Sequence, residues 1–215
     1  GLNDQYQLNQ QFYHHPKSVT SEDIFLQNAS DKLRKGFFKH PYITWRAGER
    51  VEFREVSPDT VSAADFEALD EMLTLFNEKK YNLAIKFFLD VNEYQDSLNF
   101  ITATIFDPLE SFYYLPIDNK ARCFINLFFD WCEIERRKFH ASIEHEKDPA
   151  IIKRKFHQWE AEMVGKKEKL LYTLKEGTNE KAVLNLNQEV LDILYIDNVL
   201  LFNPFPEEEE EDDDF

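Results

Sequence analysis

Residues 118–177 decide the fold class and read DNKARCFINLFFDWCEIERRKFHASIEHEKDPAIIKRKFHQWEAEMVGKKEKLLYTLKEG. The first part of this stretch repeats large apolar side chains at helical spacing, which indicates one buried helical face. The residues on that face are Phe124, Phe128, Trp131, Ile134 and Phe139. Asp118 or Asn119 can cap the helix at its N-terminus, and we expect it to continue to about Glu144.

A second helix follows after a short loop. Asp148 and Pro149 form a pair that is typical of the N-cap and the first helical position. The apolar residues that follow are Ile152, Phe156, Trp159, Met163, Leu170 and Leu174, and their spacing is heptad-like. Gly177 is a suitable end for this helix. Because the loop at 145–148 is short, we expect the two helices to form a long antiparallel hairpin.

The segments outside this hairpin give weaker signals. Residues 42–56 alternate between apolar and charged side chains, which predicts a small β-hairpin that turns at Ala47 and Gly48. The apolar run at 83–91 favours a short buried helix, and a strand is the alternative. A last helix is expected from about residue 179 to residue 202. Its inward positions would be Val183, Leu186, Val190 and Leu194.

These signals predict a mainly α fold, a helical bundle with one long antiparallel helical hairpin and one small β-hairpin. We expect a polar N-terminal arm over residues 1–20 and a single α-rich domain over residues 21–203. A subdivision near residue 117 is the alternative, because the character of the sequence changes from Asp118 onward. An acidic tail over residues 204–215 would follow. A chain of 215 residues is long enough to bury a sizeable core without disulfides or metals.

The charge of the chain is unevenly distributed. The formal net charge is −16, and eight of the acidic residues lie in 207–214, so the remainder carries about −8. Phosphate would be repelled by such a body at long range, which argues against a general nucleic-acid binder.

The two cysteines indicate the cellular compartment in which the protein resides. Cys123 and Cys132 would lie about 13 Å apart along one helix, too far for a disulfide between them. Two unpaired thiols are typical of a reducing compartment, so we expect a cytoplasmic protein. The chain has no apolar run long enough for a membrane span, and its first residues do not resemble a secretory signal.

Motifs for catalysis and for metal binding are weak. The five glycines are scattered singly and form no phosphate-binding loop, and no Gly-x-Ser-x-Gly elbow occurs. His140 and Glu144 are four residues apart and share a helical face, but two ligands do not make a metal site. We interpret this cluster as the solvated tip of the hairpin. The sequence therefore predicts no catalytic residue, no cofactor and no metal.

Basic residues are concentrated on the predicted hairpin. We consider a basic docking stripe composed of Arg136, Arg137, Lys138, Lys153, Arg154, Lys155, Lys166, Lys167 and Lys169. This stripe could contact a phosphate backbone, an acidic partner or the chain's own tail. Because acids are interleaved with these bases, the simpler interpretation is the solvated exterior of a helical pair.

The segment 207–215 reads EEEEEDDDF and cannot bury itself, because its carboxylates repel one another. It resembles the C-terminal tails of bacterial and phage single-stranded DNA-binding proteins and of ribonucleotide reductase small subunits. In those families the tail is a docking peptide whose terminal Phe enters a pocket while its acids meet a basic rim. The resemblance covers nine residues and implies a mode of binding. Neither an OB-fold pattern nor paired Glu-x-x-His iron ligands occur in the rest of the chain. The partner-binding residues implied are Glu210, Glu211, Asp212, Asp213, Asp214 and Phe215.

Three functions follow as hypotheses. The first is a non-enzymatic interaction module, an adaptor, regulator or assembly factor, whose tail docks on a partner protein with a basic surface. The second is a nucleic-acid-associated protein that uses the basic hairpin and keeps the tail as a mimic of phosphate. The third is an enzyme with an unrecognised site near His140 and Glu144. No membrane partner is expected under any of the three.

Overall fold

The computed structural model describes residues 42–52, 71–94 and 96–207. The predicted N-terminal arm, the start of the α-rich domain and residues 208–215 lie outside these ranges. Five strands are described: β1 (Ile43–Thr44), β2 (Tyr81–Asn82), β3 (Ile85–Tyr94), β4 (Ser97–Phe106) and β5 (Phe112–Tyr113). Four helices follow them in the chain: α1 (Asn119–Ile143), α2 (Pro149–Leu174), α3 (Glu180–Leu194) and α4 (Asn198–Phe202). Residues 71–75 are also helical.

The main sheet is built on a long hairpin of β3 and β4. The two strands pair antiparallel from Ile85 opposite Phe106 to Tyr94 opposite Ser97. The helix that we favoured for 83–91 is therefore wrong, and the strand alternative is correct. The physical signal was a period of two, because Ile85, Phe87, Leu89 and Val91 share one face of β3. Phe88 on the opposite face concealed this alternation.

The structure describes residues 42–52 of the β-hairpin predicted at 42–56, and within them the strand is β1 alone. A turn lies at Ala47 and Gly48, but β1 pairs with the end of β4, with Ile43 opposite Phe106. The chain after the turn is held by a helix instead. Val51 donates its backbone N–H to Asn126 Oδ1 at 2.7 Å and accepts from Asn126 Nδ2 at 3.2 Å. An amide side chain on α1 thus replaces a neighbouring strand over this stretch.

The N-terminal caps of the two long helices are confirmed. Asp118 accepts a hydrogen bond from the backbone N–H of Ala121 at 2.8 Å at the start of α1. Asp148 accepts from the backbone N–H of Ala150 at 2.9 Å, and Pro149 begins α2. Helix α2 ends before the predicted Gly177: Lys175 is its C-cap, with a left-handed φ of 47°. A 3₁₀ turn at Lys175–Gly177 follows, in which Gly177 adopts a positive φ of 86°.

The predicted last helix is divided in two. Tyr195 adopts a left-handed φ of 59° and closes α3. The Asp197 carboxylate then accepts from the backbone N–H of Leu200 at 2.9 Å and begins α4. A strong N-cap residue within the apolar pattern was the signal for this break. The four inward positions of α3 are buried as predicted, namely Val183, Leu186, Val190 and Leu194.

Helix α1 lies at the centre of the core. It packs against α3 and α4 as well as against β4. Phe139 of α1 stacks on Trp159 of α2 with ring centroids 4.6 Å apart. The prediction of a largely helical protein is confirmed, and the structure adds a small antiparallel sheet to it. Because the sheet contributes to the core, the content is mixed α/β. The bundle, the long hairpin and the domain limits stay predictions. Among the described helices, none combines the length and apolar character needed to cross a membrane.

Candidate functional site

A stripe of polar side chains runs along the inner face of α1. We define this polar stripe as Asn126, Asp130, Glu133, Arg136 and His140. Their spacing of four, three, three and four residues places them on one face of the helix. The first four are buried, with at most 2% of their surface exposed. Buried charges in a core are costly unless they are paired, so the partners of this stripe decide what it does.

Asp130 connects α1 to two distant parts of the chain. Its carboxylate accepts from Trp45 Nε1 at 2.7 Å, from Arg50 Nη1 at 2.8 Å and from Asn198 Nδ2 at 2.7 Å. Arg50 Nη1 also donates to Asn198 Oδ1 at 3.0 Å. One side chain therefore joins the loop after β1, the middle of α1 and the start of α4. Three donors compensate this carboxylate for its lost hydration.

Glu133 is the second buried carboxylate of the polar stripe. Arg136 donates to both of its oxygens, with Nε at 3.0 Å from Oε2. Thr104 of β4 donates its hydroxyl to the same Oε2 at 2.7 Å, and Arg137 Nε donates to Oε1 at 2.9 Å. A bidentate arginine pair with two further donors is a strong arrangement for a buried carboxylate. It fixes α1 against the sheet.

His140 ends the polar stripe on the face of the sheet. Arg136 Nη1 donates to Thr102 Oγ1 at 2.8 Å, and the same hydroxyl lies 2.9 Å from His140 Nδ1. Because arginine can only donate, this geometry is satisfied when the Thr102 hydroxyl donates to Nδ1 and the imidazole proton is on Nε2. Burial and the nearby Arg136 guanidinium lower the pKa of His140. Both effects favour the neutral imidazole.

The interpretation of His140 as part of a solvated tip is wrong. The imidazole is half-buried and lies 4.9 Å from the Phe100 ring, centroid to centroid. Glu144, its expected neighbour, is exposed and lies 3.1 Å from His145 Nε2. Within the described ranges, no group of three or more His, Cys, Asp or Glu side chains could hold a metal ion.

The two cysteines belong to the core. Cys123 and Cys132 are free thiols and are fully buried. Burial raises the pKa of Cys123 to about 12 and raises the pKa of Cys132 as well. A thiolate, which is the reactive form, is therefore disfavoured at both positions.

The bases predicted on α1 do not form an exposed surface together. Arg136 is 2% exposed and bound to Glu133, so it is no member of a surface stripe. Arg137 is paired with Glu133, and its guanidinium lies 5.2 Å from the Trp45 ring centroid. Lys138 Nζ lies 3.0 Å from Glu135 Oε1 and 3.6 Å from Glu189 Oε1.

Some of the predicted docking bases on α2 have partners within the body. Lys155 pairs with Glu146 at 3.6 Å, and Lys166 pairs with Glu135 at 3.8 Å. Lys167 donates to the Ile85 carbonyl at 3.0 Å. Lys155 and Lys166 are exposed despite their pairs. The remaining three bases are also exposed, namely Lys153, Arg154 and Lys169. At 1.5 Å per residue, the first two lie more than about 20 Å from the third along the helix.

The described chain ends in a fixed exit. Pro204 is buried, and Phe205 is half-buried with Lys120 Nζ 5.8 Å from its ring centroid. Pro206 and Glu207 are exposed. The partner-binding residues predicted at 210–215 lie outside the described residues.

The polar stripe was not predicted from the sequence. Its signal was polar and charged residues recurring at helical spacing inside the apolar pattern of α1, at Asn126, Asp130 and Glu133. Such a pattern indicates a buried network when hydroxyls or amides face it, as Thr102 and Thr104 do from β4. These facing residues could not be assigned while β4 was unrecognised as a strand.

No family model matches the chain, and no curated protein or solved structure matches it either. The function is therefore argued from the residues themselves.

Proposed function

We propose that the protein is a non-enzymatic interaction module, an adaptor, regulator or assembly factor, whose acidic segment 207–215 docks on a partner protein with a basic surface. One observation carries this proposal. Six of the nine bases of the predicted docking stripe already bind acceptors or rings of their own body. Such pairing within the body supports a complement for the acidic segment on another molecule.

The residue types of the segment suit this role. Eight carboxylates accelerate the encounter with a basic surface, and their contribution weakens as salt rises. Phe215 adds an apolar anchor, because burying such a side chain contributes about 2 kcal/mol. The fixed exit at Pro204 and Phe205 supports presentation of the segment, since the described body ends with exposed Glu207.

The rest of the body acts as a rigid carrier. In this proposal α1 and α2 form the long helical hairpin, joined by residues 144–148 and in contact through Phe139 and Trp159. The protein acts in the cytoplasm, which is supported by the two buried free thiols Cys123 and Cys132.

Affinity capture from the native cell tests the proposal. The baits are the full chain, a variant lacking 207–215, Phe215→Ala and the control Tyr172→Ala, which removes an 81% exposed aromatic ring from α2. We expect a specific set of proteins to be retained by the full chain and the control. The same set should be lost by the deletion and reduced for Phe215→Ala. Equal capture by all four baits would overturn docking through this segment.

A binding measurement distinguishes the nucleic-acid hypothesis from docking on a partner protein. Fluorescence anisotropy with a labelled single-stranded DNA oligonucleotide compares the full chain with the variant lacking 207–215 at low salt. We expect neither protein to bind, because most of the predicted basic stripe is engaged internally. Tight binding by the shortened protein alone would favour the tail as an internal mimic of phosphate.

A further inference from the structure

A groove lies between strand β2 and the end of helix α2. Its volume is about 390 Å³, within the range of roughly 300–1,000 Å³ that is usual for ligand sites. One wall is the chain at 79–83, which contains β2, and the other carries Glu168 and Leu171 of α2 and Glu176 of the 3₁₀ turn. Tyr172 lies at the rim, with 81% of its surface exposed. Because all of these residues line one cavity, they form one continuous surface.

The groove follows the outer edge of β2 and not one of its faces. Successive side chains of a strand point to opposite faces, whereas all five residues from 79 to 83 line the groove. The rest of the lining comes from α2 and the turn after it. Within the described ranges β2 has one neighbouring strand, β5, which pairs with its other edge.

The strand wall presents main-chain groups to the groove. Tyr81 of β2 lies opposite Tyr113 of β5. The residue after Tyr113, Tyr114, donates its backbone N–H to the Lys80 carbonyl at 2.8 Å. Because hydrogen-bonded and non-hydrogen-bonded pairs alternate along antiparallel strands, Tyr81 directs its own N–H and C=O away from β5. Neither group has a hydrogen-bond partner among the described residues, so the edge offers one donor and one acceptor to a further strand.

The strand wall is held in place by the core. The Tyr81 ring packs edge-on against the Phe124 ring of α1 with centroids 5.6 Å apart, and it lies 5.7 Å from the Tyr113 ring. Asn82 Nδ2 also donates to the Glu110 carbonyl at 2.8 Å. A ligand that adds to this edge therefore finds it ordered, which lowers the entropic cost of binding.

The helix wall carries two carboxylates that face the strand wall. Burial and the nearby Glu176 carboxylate raise the pKa of Tyr81 to about 12, so the charge of Glu176 acts within the groove. Among the described residues, no basic side chain lies within 4.0 Å of the Glu168 or Glu176 carboxylate. Lys79 and Lys80 belong to the opposite wall and form no ion pair with them. A basic side chain of a ligand would supply the complementary charge.

We propose that β2 accepts an extended segment of a partner protein as an additional strand, with a basic side chain of that segment directed to Glu168 and Glu176. In this mode main-chain hydrogen bonds to Tyr81 supply affinity, and the helix wall selects the side chains. A helical ligand is disfavoured because its main-chain groups are bonded within the helix. An acidic segment is repelled by the two carboxylates. The site is independent of docking through 207–215 and goes beyond the proposed function.

A synthetic peptide tests strand addition by NMR. The probe alternates valine and lysine over seven residues with both ends blocked, and it is titrated into the ¹⁵N-labelled full chain. We expect saturable shifts of the backbone amides of 79–83 and slower hydrogen exchange of the Tyr81 N–H. The matched peptide carries a methyl group on every backbone nitrogen. It should bind at least about tenfold more weakly, because its donor to the Tyr81 carbonyl is lost and the methyl groups keep the strands apart.

Charge variants test the helix wall. Glu168→Gln with Glu176→Gln should weaken binding of the probe about fivefold or more. The matched control is Glu144→Gln with Glu162→Gln, which removes the same charge from two exposed positions outside the groove. It should leave the affinity within about twofold of wild type. Unchanged thermal unfolding temperatures show that both double variants are folded.

Three results would overturn the proposal. Equal binding of the parent and the N-methylated peptide would exclude strand addition. An equal effect of the two double variants would reduce the attraction to the net charge of the chain. Amide shifts confined to residues outside 79–83 and the end of α2 would place the peptide elsewhere.

The variant lacking 207–215 distinguishes this site from the proposed function. It should bind the probe with an affinity within about twofold of the full chain. If the deletion abolishes binding while the variant of Glu168 and Glu176 binds normally, the lysines bind the acidic segment and the strand site is wrong. If the shifts at 79–83 persist but the capture experiment yields equal sets for all baits, the strand site stands and docking through 207–215 is wrong.

Discussion

Glu133 is the residue on which the attachment of α1 to the sheet depends. Its partner Arg136 is 2% exposed, so neutralising the carboxylate would break the ion pair of a buried cation. We expect Glu133→Gln to lower the free energy of unfolding by about 3–5 kcal/mol. Urea denaturation measures this loss. The control Glu49→Gln breaks an exposed pair with Arg46 and should cost at most about 1 kcal/mol. Equal losses for the two variants would contradict a structural role of the buried pair.

His140 makes stability depend on pH in a defined direction. Its pKa is lowered below the ordinary value of 6.5 by burial and by Arg136, although Glu144 and Glu133 act in the opposite direction. As the pH falls, the unfolded chain therefore takes up this proton first. The stability contributed by neutral His140 is fully present above about pH 6.5 and is lost as the pH falls through the folded pKa.

Two variants isolate the contribution of His140 to the pH dependence of stability. In His140→Asn the side-chain oxygen can still accept from the Thr102 hydroxyl, but nothing titrates. We expect wild type to lose more stability than His140→Asn between pH 7.5 and pH 5.5, as measured by urea midpoints at each pH. His145→Asn changes a side chain that is 93% exposed and should follow wild type. A parallel decrease in all three proteins would exclude His140 as the source.

At the scale of residues, the sequence predicted contacts between residues that are close in the chain and not contacts between distant ones. Asp118 and Asp148 were assigned as caps because a cap binds a backbone N–H two or three residues away. The bond from Trp45 to Asp130 spans 85 positions, and the bond from Asn198 to Asp130 spans 68. No local pattern encodes such pairs, so the partners of the polar stripe required the folded structure.

At the scale of elements, periodicity predicted the helices better than the sheet. Helices α1 and α2 carry apolar repeats over more than twenty residues, long enough to outweigh single exceptions. Strand β3 has ten residues, and one Phe on its outer face was enough to conceal the alternation. Strand β1 has two residues and pairs with β4, about 60 positions away, so its partner could not be found locally.

The turn after α2 packs against the start of α1, and a substitution at Gly177 tests this contact. Gly177 has a φ of 86°, and a Cβ at this position would lie 2.5 Å from the backbone oxygen of Lys120. We expect Gly177→Ala to lower the free energy of unfolding by at least about 2 kcal/mol, because a backbone atom cannot yield easily. Thermal and urea denaturation measure the change.

Gly165 supplies the matched control in the same helix. A Cβ there would meet nothing within 4 Å, so Gly165→Ala should raise the free energy of unfolding by about 0.5–1 kcal/mol through helix propensity. Opposite signs for the two glycines support the contact between Lys120 and the turn after α2. A small change at Gly177 would show that this turn is not held against α1.

At the scale of the whole molecule, the charge and the contacts divide the chain at Pro206. The segment after it holds eight carboxylates, half of the net charge of −16. The body before it uses most of the predicted docking bases for its own ion pairs. Binding of the segment to its own body and binding to a partner therefore predict different effects of truncation on stability.

Two truncations decide between these modes. Removing 207–215 should change the free energy of unfolding by less than about 0.5 kcal/mol if the segment binds a partner and not its own body. Removing 198–215 should cost at least about 3 kcal/mol, because Asp130 loses the donor Asn198 and the core loses Phe202, Pro204 and Phe205. Urea denaturation at low and at high salt measures both. A loss on removing 207–215 that disappears at high salt would mean that the carboxylates bind their own body, and docking on a partner would then have to displace them.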